Sequence, residues 1–105
     1  MTTPYIFIRD LDTAEWRNAR LYRLAKPVPY RGYGEDDSSA TARTTDMVIV
    51  SAITINLGSD IHAETYIFPA DNDGNRLTWT ELPGSFQGAC DFERALRGLL
   101  EETGN

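Results

Sequence analysis

The sequence predicts a small α+β domain: a twisted, mainly antiparallel sheet of four or five strands with a C-terminal amphipathic helix packed on one face. Three observations carry this. Several short runs rich in β-branched and aromatic residues are separated by turn-forming residues. One of them, Met47 to Ile55 (MVIVSAITI), is apolar almost without interruption. The last fifteen residues switch to a 3.6-residue apolar period. At 105 residues the chain has room for one core and no second domain, and 41% hydrophobic with 25% charged residues is a globular balance.

The elements follow in order. Tyr5 to Arg9 reads as a strand because Tyr, Ile and Phe suit a half-buried pleated surface. Asp12 stands three residues before Glu15 in a capping-box-like spacing, which predicts a helical turn near Thr13 to Asn18. After Ala19 no 3.6-residue stripe continues, and Pro27 and Pro29 favour extended neighbours. Arg20 to Lys26 therefore reads as a strand, with helix the alternative. Residues 32–46 (GYGEDDSSATARTTD) are small, polar and acidic without periodicity, and are expected to form a mobile acidic loop. Met47 to Ile55 suits a strand buried on both faces, at the centre of the sheet. Ala63 to Phe68 is the next strand, and Leu77 to Glu81 is expected to return beside it. In the final segment Asp91 can cap a helix whose Phe92, Ala95, Leu96, Leu99 and Leu100 fall on one stripe. Gly104 suits its stop, and Gly98 inside it costs about 1 kcal/mol relative to Ala unless it permits close packing.

Composition narrows the chemistry. One cysteine, Cys90, excludes an internal disulfide, and one histidine, His62, excludes the paired imidazoles of most zinc sites. The first residues carry neither a basic leader nor a long apolar run, which points to a cytoplasmic protein without a membrane segment. The net charge of −6 is uneven: residues 1–32 balance at +3 and residues 33–105 at −9. Such an acidic surface disfavours direct nucleic-acid binding.

The segment HAETYIFPADNDGNRLTWTEL poses the sharpest local question. Aligning Gly74 with the sixth position of a calcium loop leaves Pro69 and Thr80 where an Asp and a bidentate Glu are needed. Asn72, Asp73, Gly74 and Asn75 are turn residues, so the acidic knot reads as a hairpin turn, with Pro69 near a strand end or on an edge. Cys90 precedes a helix N-terminus, where the macrodipole favours a thiolate, and His62 could serve as its base; Asp91 and Glu93 oppose that activation. Asp60, Glu64, Glu81 and Asp91 show no spacing that fixes an acid–base pair, and Gly32-Tyr33-Gly34 lacks the helix of a phosphate loop. No catalytic, cofactor or metal constellation is therefore expected. The aromatic and Arg-rich N-terminal third offers Trp16, Arg20, Tyr22, Tyr30 and Tyr33 as interface candidates, with burial in the core as the competing reading.

Several segments together, NARLYRLAKPVPY (Asn18 to Tyr30), MVIVSA (Met47 to Ala52), ETYIFPADNDGN (Glu64 to Asn75) and WTELPGSFQG with DFERAL (Trp79 to Leu96), resemble a group of short accessory proteins encoded by actinobacterial phages and prophages. The chain departs from that pattern at Phe92, where members often have His, and in its longer final helix. A single Lys among ten basic residues agrees with a GC-rich origin. The resemblance implies an origin and no activity. A small acidic chain of this kind is expected to be a non-enzymatic accessory protein that binds a host or phage protein. The alternatives are an acidic DNA mimic that inhibits a nucleic-acid-binding protein, and a Cys90/His62-dependent enzyme. A homodimer through an edge strand or a helix face is also open.

Overall fold

A computed structural model describes residues 3–11, 16, 18–31 and 43–104. It contains β1 (Tyr5–Leu11), β2 (Ala19–Tyr30), β3 (Arg43–Leu57), β4 (Asp60–Ala70), β5 (Phe86–Gln87) and α1 (Phe92–Thr103). All strand pairs are antiparallel, and the order across the sheet is β1-β2-β3-β4-β5, so every strand lies beside its neighbour in sequence. The predicted α+β architecture is the observed one.

Met47 to Ile55 falls within β3, the middle strand, and the register shows why its first four residues are all apolar. Val48 and Val50 lie opposite Tyr22 and Arg20 on one side and Pro69 and Ile67 on the other. With the two-residue alternation of a strand, Val48, Val50 and Ile67 face α1, where they meet Leu96 and Leu99. Met47 and Ile49 face the opposite side, with Leu21, Phe68, Trp16 and Leu11. Both faces are covered over Met47 to Ala52, where Ser51 is the one polar residue; Ile53 is half-buried and Thr54 exposed, so the expected two-sided burial does not reach Thr54. Each fully buried aliphatic side chain contributes about 1.5–3 kcal/mol.

β2 runs on through Pro27 and Pro29. Between Arg23 and Val28 its register with β3 shifts, and Leu24 to Pro27 face Asp46 alone; a missing N–H at Pro27 interrupts nothing there. β3 begins earlier than expected. Arg43, Thr44 and Thr45 pair with Tyr30, Pro29 and Val28, and the Thr45 hydroxyl donates to the Ala70 carbonyl at 2.7 Å. The last four residues of the predicted loop thus belong to the sheet, and residues 32–42 lie outside the described residues. So do Thr13 to Glu15 and Arg17 of the predicted helical turn; Asn18 is left-handed, with φ 52°.

The acidic knot is a turn. Asp71 N–H donates to the Asn75 carbonyl at 2.9 Å, Ala70 bridges Arg76, and Leu77 N–H reaches the Pro69 carbonyl at 2.9 Å. Pairing ends there, which corrects the expected strand over Leu77 to Glu81. The Thr78 hydroxyl accepts from Thr80 N–H at 3.3 Å, a local bond that competes with the ladder. The chain bows outward, returns when Leu82 N–H donates to the Ile67 carbonyl at 2.8 Å, and forms β5 against Thr65 and Glu64.

α1 has the expected ends. The Asp91 side chain accepts from Arg94 N–H at 3.1 Å, and Gly104 closes the last turn at φ 75°. Ala95, Leu96, Leu99 and Leu100 are buried and Phe92 half-buried. Gly98 permits the close packing anticipated for it: a Cβ there would lie 3.1 Å from the Gly84 Cα, in the turn before β5. No helix among the described residues is long and apolar enough to cross a membrane.

Candidate interaction surface

The first strand departs from simple alternation, and that departure builds the most distinctive surface. β1 has a bulge between Phe7 and Arg9: Phe7 lies opposite Tyr22, Arg9 opposite Leu21, and Asp10 opposite Arg20. Ile8, the extra residue, changes the phase of the strand. Phe7 and Asp10 consequently share the α1 face, while Arg9 turns to the other face and donates to the Asp73 carbonyl at 2.6 Å. The acidic turn is thereby tied across the second face, where a Cβ at Gly74 would lie 3.4 Å from Leu11.

On the α1 face, Tyr5, Phe7, Asp10, Arg20, Tyr22 and Glu93 line an open groove of about 340 Å³. Arg20 is its centre. Its guanidinium carbon stands 4.2 Å from the centroid of the Phe92 ring and 5.9 Å from that of Phe7. Its Nη1 donates to the Tyr22 hydroxyl at 3.4 Å, and its Nε lies 3.7 Å from the Asp10 carboxylate. The hydrogen bond to Tyr22 is the first cause of a guanidinium pKa raised above its usual value. The exposed ion pair adds little stability, at most about 1 kcal/mol, so its effect is to orient the side chain. Tyr5 and Phe7 meet Tyr22 edge-on, at 5.7 and 5.9 Å between centroids. Burial, followed by the charge of Glu93, raises the Tyr5 phenol.

On this edge strand Ile6, Phe7 and Ile8 are 57%, 49% and 39% exposed, three consecutive large apolar residues, with Phe7 in the groove and Ile6, opposite Arg23, on the second face. A smaller groove of about 210 Å³ lies between the end of β2 and the segment before β5, lined by Pro29, Tyr30, Arg31, Thr80, Glu81, Leu82 and Pro83. On the second face Trp79 is 62% exposed, with the Arg76 guanidinium carbon 3.0 Å from its ring centroid.

The predicted interface residues separate. Arg20 is half-exposed at the centre of the larger groove, and Tyr30 is half-buried in the smaller one. Trp16 and Tyr22 are buried, which corrects their assignment as exposed anchors: Trp16 packs on Phe68 at 5.7 Å, and Tyr22 belongs to the core under α1. Tyr33 lies outside the described residues. The exposed large apolar groups that sequence reasoning did not single out are Ile6, Phe7, Ile8, Ile61 and Leu77. The signal for the first three was position, since the first strand of a meander is an edge.

The chemical candidates also find their places. Cys90 is exposed; its thiol donates to the Ile53 carbonyl at 3.5 Å and lies 3.6 Å from the Thr54 hydroxyl, on the α1 side of β3. His62 is in phase with Tyr66 and Phe68 and so lies on the opposite face of the sheet. The sheet separates the thiol from the imidazole, and the geometry gives no support to that dyad. Asp71 spends its carboxylate on the turn: Oδ1 accepts from Asp73 N–H and Asn75 N–H, both at 2.9 Å, and Oδ2 accepts from Asn75 Nδ2 at 3.2 Å. Those bonds, with Asn75 N–H the largest contribution, hold its pKa below the usual carboxylate range. Glu64 accepts from the Tyr66 hydroxyl, a bond that pushes the Tyr66 phenol up to about 12. Asp91 caps α1. The acids are thus dispersed among turn, strand and cap, and among the described residues no group of three His, Cys, Asp or Glu is placed to hold a metal ion. Comparison with protein-family models, with curated proteins and with solved structures finds no match for the chain.

Proposed function

We propose that the chain is a non-enzymatic accessory protein that acts by binding another protein through β1 and the Arg20 groove beside it. The observation that carries this reading is the run of three exposed apolar residues, Ile6, Phe7 and Ile8, on an edge strand. Such a run is costly to solubility unless a partner covers it. Arg20, held against Phe92 and oriented by Tyr22 and Asp10, adds the kind of aromatic and guanidinium cluster in which binding energy concentrates. The resemblance to actinobacterial phage and prophage proteins makes a host protein the expected partner and the host cytoplasm the expected place. An exposed free thiol at Cys90 is at home in such a reducing compartment.

Affinity purification from actinobacterial lysate, with mass spectrometry, tests the reading when wild type is compared with a Phe7→Ser/Arg20→Glu variant of matched thermal stability. One stoichiometric partner is expected with wild type, and its loss with the variant. Absence of a partner, or its retention by the variant, overturns the proposal.

A further inference from the structure

We propose that the partner places an arginine side chain in the groove around Arg20, with the Glu93 carboxylate as its acceptor, that of Asp10 shared with Arg20, and the exposed Phe7 ring as its platform. The inference names the chemistry of the partner at the same site and rests on the reading of the chain as a binding protein. The six residues that line the groove, Tyr5, Phe7, Asp10, Arg20, Tyr22 and Glu93, come from β1, β2 and α1. Its volume of about 340 Å³ is at the small end of the range of about 300–1,000 Å³ typical of ligand pockets, and it is open to solvent. It therefore suits one long side chain of a larger partner better than an enclosed cofactor.

The charges of the groove do not balance. Asp10 and Glu93 bring two carboxylates, and Arg20 is the one cation among the lining residues. Arg20 Nε stands 3.7 Å from Asp10, which leaves Glu93, exposed in the first turn of α1, with no ion pair among the described residues. Arg97, four residues further along the helix, does not close one with it. The charge of Glu93 is felt within the groove: after burial it is the next cause that raises the Tyr5 phenol, ahead of the opposing effect of Arg97. Residues 33–105 balance at −9, so the wider surface attracts a cation as well.

The walls select among cations. Arg20 shows what the rings accept: its guanidinium carbon lies 4.2 Å from the Phe92 centroid and 5.9 Å from that of Phe7. Phe7 remains exposed, so its ring keeps open surface beside that contact. A second guanidinium can stack there while its N–H groups reach carboxylate oxygens, whereas a lysine ammonium offers the charge without the planar face. With Arg20 paired to Asp10, the repulsion met by an incoming cation is partly cancelled. An acidic side chain would meet two carboxylates. An aliphatic one would strip water from them and return no hydrogen bond.

Titration of the full chain with an acetylated pentapeptide, a central arginine flanked by uncharged threonine and valine, tests the inference when the ring signals of Tyr5 and Phe7 are followed by NMR. The same peptide with citrulline, which keeps the shape and lacks the charge, is the control. Saturable shifts are expected with arginine, and binding about fivefold weaker with citrulline. Glu93→Gln is expected to abolish most of that preference. Asp60→Asn, which removes the same charge at the far end of the β3–β4 hairpin, should leave it unchanged. Should Glu93→Gln loosen the start of α1, Asp10→Asn removes the other carboxylate from β1 and is expected to shrink the preference as well. Absence of saturable shifts, equal binding of the two peptides, or a preference that withstands both groove substitutions overturns the inference. A partner captured from lysate whose binding is indifferent to Glu93→Gln keeps the reading of the chain as a binder and overturns only the arginine. Arginine selectivity in the peptides without any captured partner supports the groove chemistry while the host-protein reading fails.

Discussion

Gly84→Ala probes the contact where the turn before β5 meets α1. Gly84 has φ 107°, and a Cβ there would lie 2.8 Å from the backbone nitrogen of Leu99 and closer still to the Ala95 carbonyl. Two costs combine: about 1–3 kcal/mol for a non-glycine residue at positive φ, and about 1–3 kcal/mol for forcing a methyl against helix backbone that cannot swing aside. Gly88 provides the control, because it has the same φ of 107° and open space around its would-be Cβ. Gly88→Ala should therefore show the dihedral cost alone. Urea unfolding followed by circular dichroism is expected to place Gly84→Ala below Gly88→Ala by about 1–3 kcal/mol, and in thermal melts each kcal/mol should appear as about 4–8 °C. Equal losses in the two variants would refute the reasoning, since they would mean that the turn and helix part at no cost.

Two further outcomes concern ionisable groups. Asp71 has a folded-state pKa below its unfolded value of 3.8, so its contribution is fully present above that value and is lost as pH falls through the folded pKa. Asp71→Asn should cost about 1 kcal/mol near neutrality, and its difference from wild type in urea titrations should shrink in acid; a difference independent of pH would contradict the assignment. Tyr66 is the opposite case: its folded pKa of about 12 lies above the ordinary phenol value of 10.0, so the stability it contributes is present below pH 10 and disappears as pH rises through the folded value. Phenolate absorbance should show one tyrosine titrating near 12 that moves toward 10 in Glu64→Gln, and an unchanged curve would sever the link to Glu64.

Elements whose residues bury both faces or one clean stripe were legible in the sequence. Met47 to Ile55 read as the central strand, although its two-sided burial holds only over Met47 to Ala52, and the period from Phe92 to Leu100, with Asp91 before it and Gly104 after it, read as a helix. The acidic knot was legible because its turn chemistry is local. Leu77 to Glu81 misled because Thr and Trp favour strands in composition, whereas Thr78 and Thr80 bond to each other and leave no ladder. β5 is too short for a periodicity, and the chain is held beside β4 by a tertiary contact, the Ser85 hydroxyl accepting from Ile67 N–H at 3.0 Å. At the surface, Arg20 is half-exposed, as an interface candidate has to be. Trp16 and Tyr22 were not separable from core residues by type alone, and nothing local in Ile6 to Arg9 marks the bulge that sets the phase of that strand.

The meander order also bears on how the protein is made. Every strand pairs with its predecessor, so sheet assembly needs only short loop closures and can follow the chain as it leaves the ribosome. The helix comes last. Until Leu96 and Leu99 emerge, Val48, Val50 and Ile67 form a sheet face without its cover, and this interval exposes the nascent chain to aggregation. Slow translation after β4 would lengthen that interval, and a chaperone that holds apolar strands would shorten its consequences.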